Sequence, residues 1–364
     1  MSIPSYTIAQ LPPAQAVETP AVLRKAAEAH RYLAELKGVA GTIPNERILV
    51  DTLSLQEAKD SSAIENIITT DDEVYRSDYL ARTFTTPAAK EVHRYAEALK
   101  LGFEEVRRSG GIGLNTILRV QAKLEDNTAG LRKLPGTVLK NERTQEVVYT
   151  PPQDHATVLE LMNNLEKFLN DDALMTADPL VKMAIAHHQF ESIHPFYDGN
   201  GRTGRILNIL YLVRHDLLEL PILYMSRHII QNKADYYRLL QQVRVDGNWE
   251  PWILYMLEAV ARTSQQTIAL IKGIKTLMQA FKQRLRNEQP RLYSQDLLNN
   301  LFRHPYTRID FMMRDMDVTR ITATRYLNVL VGMGLLQFVK VGRTNFYLNG
   351  RLFDLLRGGS ISVS

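Results

Sequence analysis

The chain has 364 residues, 45% hydrophobic and 23% charged, with 44 lysines and arginines against 40 aspartates and glutamates and a formal net charge of +4. That size suffices for two or three domains with buried cores, and so small a basic excess does not by itself imply a nucleic-acid partner. The absence of cysteine excludes disulfides, thiolate metal sites and a cysteine nucleophile; with no apolar run of membrane length, and no basic and apolar leader in residues 1–10, a soluble cytoplasmic protein without a membrane partner is expected.

Pro4, Pro12, Pro13 and Pro20 mark residues 1–20 as an extended arm that packs on the body or stays loose. Residues 21–36 carry apolar side chains at helical spacing, and Gly38, Gly41 and Pro44 break the pattern. From Ser54, S-L-Q-E-A-K-D-S-S-A-I-E-N-I is a good helix former, expected over about 54–68. It sets Ser61 and Glu65 one turn apart on one face, with Asn66 next in line, a pairing that is common on solvated helices and carries no chemistry alone. Helices are expected over 88–108 and 114–124, separated by Ser109-Gly110-Gly111. Residues 134–152 place β-branched side chains around a polar centre at 141–145 and close with prolines, which predicts a hairpin carrying Val148 and Tyr149. Two more helices, 157–170 and 178–193, lead into the most informative stretch.

Residues 194–205 read H-P-F-Y-D-G-N-G-R-T-G-R and run into the apolar I-L-N-I-L-Y-L-V. Gly199 and Gly201 flank Asn200, so the backbone can take positive φ and bring N–H groups against a ligand. The helix that follows turns its positive dipole end and its orphan N–H groups to the same place. Arg202 and Arg205 lie three apart on its first turn and share a face. Cations are disfavoured at a helix N-terminus, so this pair makes sense if phosphates sit between them. Asp198 beside a phosphate is repulsive unless a cation lies between, and Mg2+ takes one or two carboxylates plus phosphate oxygens. His194 is then the neutral titratable base near the reacting phosphorus, and Thr203 and Gly204 complete the polyphosphate-anchoring stretch.

Other readings of the same residues fit less well. G-N-G-R-T-G matches a dinucleotide fingerprint but follows helical rather than strand-like spacing. Glu191-x-x-His194, with His187 and His188 nearby, is half of a di-iron pattern, and no second E-x-x-H occurs. A Gly-rich turn between two core helices explains the glycines but not Asp198, Arg202 and Arg205 together. Beyond this stretch, N-K-A-D-Y-Y-R-L-L holds Tyr236 and Tyr237, as core aromatics or as ligand contacts. A long helix is expected from Pro251 to about Leu285, a linker over 286–290, then helices at 295–302, at 310–314 and from Val318. Two alternating strands joined near Gly342 and Arg343 follow.

Residues 194–205 match the Fic family signature H-P-F-x-[D/E]-G-N-G-R-x-x-R at every defined position, and the resemblance extends over about 54–261. It implies a mainly α protein, with residues 1–87 carrying the inhibitory helix and a helical Fic core over 88–285 with a β-hairpin flap; separately, the three helices and hairpin of residues 291–364 look like a small winged-helix domain. It implies transfer of AMP from ATP, with Mg2+, to a Ser, Thr or Tyr hydroxyl of a target protein docked at the flap, or of the chain itself. His194 would be the general base and Phe196 would hold the loop. Asp198 would bind Mg2+; Gly199, Asn200 and Gly201 would hold the α- and β-phosphates, and Arg202 and Arg205 would contact the β- and γ-phosphates. Val148 and Tyr149 would lie near the nucleotide, and Tyr236 and Tyr237 would border the adenine. Ser61, Glu65 and Asn66 match the family's inhibitory pattern [S/T]-x-x-x-E-[G/N], so Glu65 would pair with Arg205 and occupy the γ-phosphate's place. Related proteins often form dimers that hide this helix. Arg320, Thr322, Thr324, Arg325, Lys340 and Arg343 make DNA a further candidate partner. The rival functions are a DNA-binding regulator with the core as nucleotide sensor, and a Fic enzyme with another donor or a de-AMPylating activity.

Overall fold

The computed structural model of the chain describes residues 7–77, 83–140 and 144–358. Residues 1–6 of the expected arm lie outside the described residues; the part from 7 onward is tied to the body, where Leu11 N donates to Asn164 Oδ1 at 2.7 Å and Asn164 Nδ2 returns a bond to Leu11 O at 3.0 Å. Thr19 caps α1 (Pro20–Ala40), with proline at its first turn, where the missing N–H costs nothing. α1 lies along the 39-residue α11 (Glu250–Glu288) and buries Val22, Ala26, Ala29, Leu33 and Leu36, one stripe of a 3.6-residue period.

The helix expected over 54–68 is α2 (Glu46–Ile64), displaced toward the N-terminus. It begins where Asn45 accepts from Arg47 N at 3.0 Å. It ends in a Schellman turn, with Asn66 N on Ala63 O and Ile67 N on Ser62 O, and Asn66 at φ 61°. Glu65 is therefore the cap residue, and Asn66 stands at the left-handed position that admits Gly or Asn. A capping box, Thr70 with Glu73, starts the short α3 (Asp71–Arg76).

α4 (Pro87–Ser109) and α5 (Leu114–Glu125) follow, then a hairpin much shorter than residues 134–152 suggest: β1 (Leu139–Lys140) pairs antiparallel with β2 (Val147–Tyr149). Part of its polar centre, residues 141–143, lies outside the described residues. α6 (His155–Asn170), α7 (Pro179–Ile193) and α8 (Asn200–Arg214) come next. Every residue of α7 from Leu180 to Ile193 is buried, so α7 is the central helix, with α8, α6 and α11 packed on it. Trp252 Nε1 ties α11 to the Ala184 carbonyl at 2.8 Å.

α9 (Met225–Gln231), α10 (Lys233–Asp246) and α11 (Glu250–Glu288) complete the core; α11 runs through most of the stretch expected as a linker over 286–290. The C-terminal part has the expected three helices, α12 (Gln295–Arg303), α13 (Ile309–Met316) and α14 (Arg320–Gly332), and the hairpin β4 (Gln337–Val341) with β5 (Thr344–Leu348). The sequence reading missed β3 (Tyr306–Thr307), which makes a three-stranded antiparallel sheet in the order β3-β5-β4, and α15 (Gly350–Leu356), which packs on α11. Among the described residues, no helix is long and apolar enough to cross a membrane.

Candidate active site

The loop between α7 and α8 is held from inside. α7 ends at His194 in the left-handed region, φ 49°, an uncommon conformation for a non-glycine residue that its surroundings must impose. Arg132, 1% exposed, imposes it: its Nε donates to the His194 carbonyl at 2.8 Å, and its own N–H reaches the Pro195 carbonyl at 2.9 Å. Asn200 clamps the other side, its Oδ1 accepting from Phe196 N at 2.8 Å and its Nδ2 donating to Phe196 O at 2.9 Å. Its side-chain amide thus shapes the loop, leaving its backbone for a ligand. Phe196 is fully buried beside Phe190. Gly199, at φ 75°, begins α8, and a Cβ there would run into Glu125.

His194 titrates far from its ordinary range. Burial first, then the Arg132 and Arg244 guanidinium groups, lower its pKa to about 4, so the imidazole is neutral at physiological pH and able to accept a proton.

Arg205, 1% exposed on α8, reaches across to the end of α2. Its Nε donates to Ser61 Oγ at 2.8 Å, and its Nη2 donates to the Ser61 carbonyl at 3.0 Å and to Glu65 Oε1 at 2.7 Å. A carboxylate at a helix C-terminus faces the negative end of the dipole, and Arg205 compensates. Burial would raise the Glu65 pKa, but Arg205 outweighs it and holds the carboxyl below its usual range. The pair needs Gly201: a Cβ there would overlap Glu65 Oε1 and lie 2.9 Å from Arg205 Nη1.

Arg202 goes elsewhere. Its guanidinium lies 3.2 Å from Glu91, 2.8 Å from Glu125 and 3.8 Å from Asp198, so it does not share the surroundings of Arg205. Thr203 is buried in the first turn of α8, and Gly204 lets α8 approach α7, since a Cβ would sit 2.6 Å from Glu191 Oε1. Asp198 is outside the cavity, its side chain 79% exposed. One exposed carboxylate beside a helix N-terminus suits Mg2+ shared with phosphate oxygens. Among the described residues no group of three or more metal-ligating side chains exists. The half di-iron pattern does not close either, because His187 bonds Tyr236 Oη at 2.9 Å and lies 3.1 Å from Asn208 Nδ2.

A cavity of about 930 Å³ joins His194, Gly201, Arg205 and Glu65 to the hairpin and α10. Val148 and Tyr149 line it; Val148 is half-exposed, while Tyr149 donates to the Ser192 carbonyl at 2.8 Å beneath the Arg244 guanidinium, 3.9 Å above its ring. The two tyrosines of α10 divide their tasks. Tyr236 is 1% exposed and packs on Trp252, whereas Tyr237 is 45% exposed and meets it edge-on at 5.1 Å. Three groups around the site escaped the sequence reading: Arg132 behind the His194 loop and, lining the cavity, Arg244 above Tyr149 and Glu191, whose buried carboxyl is pushed up to about 7 against the pull of Arg205. Glu191 was legible only as a partner in E-x-x-H, and nothing marked the arginines.

Comparison with known proteins places three family models on the chain: "Fic/DOC family N-terminal" over residues 23–104, "Fic/DOC family" over 112–212, and "Protein adenylyltransferase SoFic-like, C-terminal domain" over 277–352. The chain is 32% identical over 117 residues to protein adenylyltransferase fic-1 of Caenorhabditis elegans, covering 32% of this chain and 21% of that one. It is 35% identical over 103 residues to protein adenylyltransferase Fic of Aedes aegypti, covering 28% and 19%. The match thus spans about a fifth of the length of these relatives. Among solved structures, a Fic family protein from Desulfovibrio desulfuricans G20 superposes with a TM-score of 0.60 at 22% identity over 92% of this chain and 98% of that one. The fic-1 structure from C. elegans gives a TM-score of 0.52 at 20% identity over 70% and 74%, so both show the fold.

Gly201→Ala is expected to destabilise the ligand-free protein by about 1–2 kcal/mol through the Glu65 contact. Most of that loss should vanish in a Glu65→Gly background, as read from the coupling in a denaturation double-mutant cycle; equal losses in both backgrounds would contradict the contact.

Proposed function

Because the chain belongs to the Fic/DOC family, we propose that it is a protein adenylyltransferase that moves AMP from ATP to a Ser, Thr or Tyr hydroxyl of a target protein or of itself. The observation that carries this reading is the single cavity in which a neutral His194 faces the first turn of α8 and a buried Arg205. The hydroxyl oxygen bonds to the α-phosphorus as the bond from that phosphorus to the bridging oxygen breaks. Pyrophosphate leaves, and the hydroxyl proton passes to the His194 imidazole. The backbone N–H groups of Gly201 and its neighbours bear the charge on the transferring phosphate, and positioning supplies much of the rate. Asp198 would hold Mg2+, which when bound neutralises phosphate charge. A target segment would pair with the β1–β2 hairpin as an added strand.

Glu65 would inhibit, since Arg205 cannot fully engage a carboxylate and a γ-phosphate together. Glu65→Gly is expected to raise AMP labelling by about an order of magnitude or more, the worth of a displaced ion pair. His194→Ala added to it should abolish labelling without abolishing ATP binding. Intact mass after incubation with ATP and Mg2+ reads both, and undiminished labelling in the double variant would remove His194 from the base role.

The pH profile follows from the same cavity. With the free-enzyme imidazole pKa at about 4, the base form persists well below neutrality and is lost only as pH falls through that value. The acid limb of kcat/KM should accordingly lie near pH 4, where an ordinary histidine would lose half its activity near about 6.5.

A second reading concerns residues 318–348, which hold Arg320, Arg325, Lys340 and Arg343 and no aspartate or glutamate. All four are exposed on α14 and the β4–β5 hairpin, together with Ile321 at 84%. We infer a winged helix that sets α14 against duplex DNA. If all four cations meet phosphates, log K should fall against log salt with a slope of about −3 to −4; no retention of duplex DNA at low salt would sink the idea.

A further inference from the structure

The helix that bears Glu65 is walled on two sides by different bodies. Its buried residues include Thr52, Ser54, Gln56, Glu57, Ser61 and Ser62 beside the apolar ones, so it is not an amphipathic helix resting on one core. Toward the catalytic core, Glu57 accepts from Tyr95 Oη at 3.0 Å and from Ser226 N at 3.1 Å, and Ser61 and Glu65 hold Arg205. Toward the C-terminal domain, Arg303 of α12 donates to Asp51, and Gln56 donates to the Leu356 carbonyl at the end of α15.

These outer contacts are built rather than incidental. Asp51 also takes Lys100 at 2.9 Å; burial disfavours its charge, but Lys100 and Arg303 together keep its carboxyl below the usual range. α3, which follows the inhibitory turn, is gripped by the same domain: Tyr306 donates to Asp72, Arg357 lies 3.6 Å from Asp71, and Phe353 meets Tyr75 edge-on at 6.1 Å. From Asp51 to Glu65 the helix is a continuous strut of about 21 Å at 1.5 Å per residue.

We propose that the C-terminal domain is a clamp on the inhibitory helix, with Arg303, Asp51 and Gln56 as positioning residues that keep Glu65 on Arg205, so that a change in the docking of that domain alters access of the γ-phosphate. This rests on the reading of Glu65 as an inhibitor. The contacts couple two sites: whatever moves the C-terminal domain away from α2 weakens the Glu65–Arg205 pair, and a nucleotide that displaces Glu65 loosens the domain in return.

The test is hydrogen exchange on the full chain at the amides of Glu65, Asn66 and Ile67, which close the last turn of α2, in wild type, Arg303→Ala, Arg303→Lys and Gln56→Ala. Exchange should accelerate about tenfold in Arg303→Ala, recover in Arg303→Lys, and accelerate in Gln56→Ala while α12 to α14 stay protected. AMP labelling should rise several-fold in the two alanine variants but not when Glu65→Gly is already present. Unchanged exchange at these amides in Gln56→Ala and in a folded Arg303→Ala would overturn the clamp, and so would an equal rise of labelling in both backgrounds. If Glu65→Gly gives no labelling in any variant, the transferase reading fails, and the exchange data still decide the clamp.

Discussion

One buried guanidinium organises this molecule. Arg205 is 1% exposed, and a cation so placed needs a partner of opposite charge within reach. Ser61 and Glu65 supply it, and in doing so they fasten the end of α2 to the second turn of α8. The geometry admits no spare room, because Gly201 lies directly under the carboxylate. A polyphosphate reaching Arg205 would compete with Glu65 for one fork of donors. On the proposed reading, control and chemistry meet at a single side chain.

The same positive field explains the histidine. Arg132 and Arg244 flank the loop that presents His194, and after burial they are what hold its pKa near 4. Cations that would welcome an anionic nucleotide also disfavour an imidazolium, so in the proposed function phosphate binding and a neutral base would arise from one arrangement of charge. Arg132 has a mechanical part as well: it holds the carbonyls at the end of α7 and lets His194 keep a left-handed backbone. Asn200 holds Phe196 from the other side, so the loop is bonded to the chain's own groups on both flanks.

Much of the fold was legible because local signals agreed. Prolines and threonines opened α1 and α4, glycines closed α4 and α10, and the apolar period marked the helices between. Boundaries failed where the signal was weak. α2 begins at Asn45 because I-L-V-D-T-L continues the helix upstream, and it stops at Ile64 because Asn66 takes a left-handed turn that the pattern S-S-A-I-E-N-I does not announce. β3 and α15 went unseen because their pairing partners, β5 and α11, are distant in the chain. Arg202 illustrates the limit of spacing arguments: three residues from Arg205, it turns to Glu91 and Glu125.

By itself the sequence determined the chemistry on offer. A base, a carboxylate, glycines and arginines lie within twelve consecutive residues, so their types and order needed no fold to be read. It also marked Ser61 and Glu65 as one-turn neighbours. Only the tertiary structure decided where Arg202 turns, which of the two tyrosines is buried, and that Arg132, Glu191 and Arg244 surround the site. It alone set the C-terminal domain against α2. The physical reason is range: backbone conformation and helical spacing act over a few residues and are written locally, whereas charge pairing, burial and pKa depend on groups brought together from opposite ends of the chain.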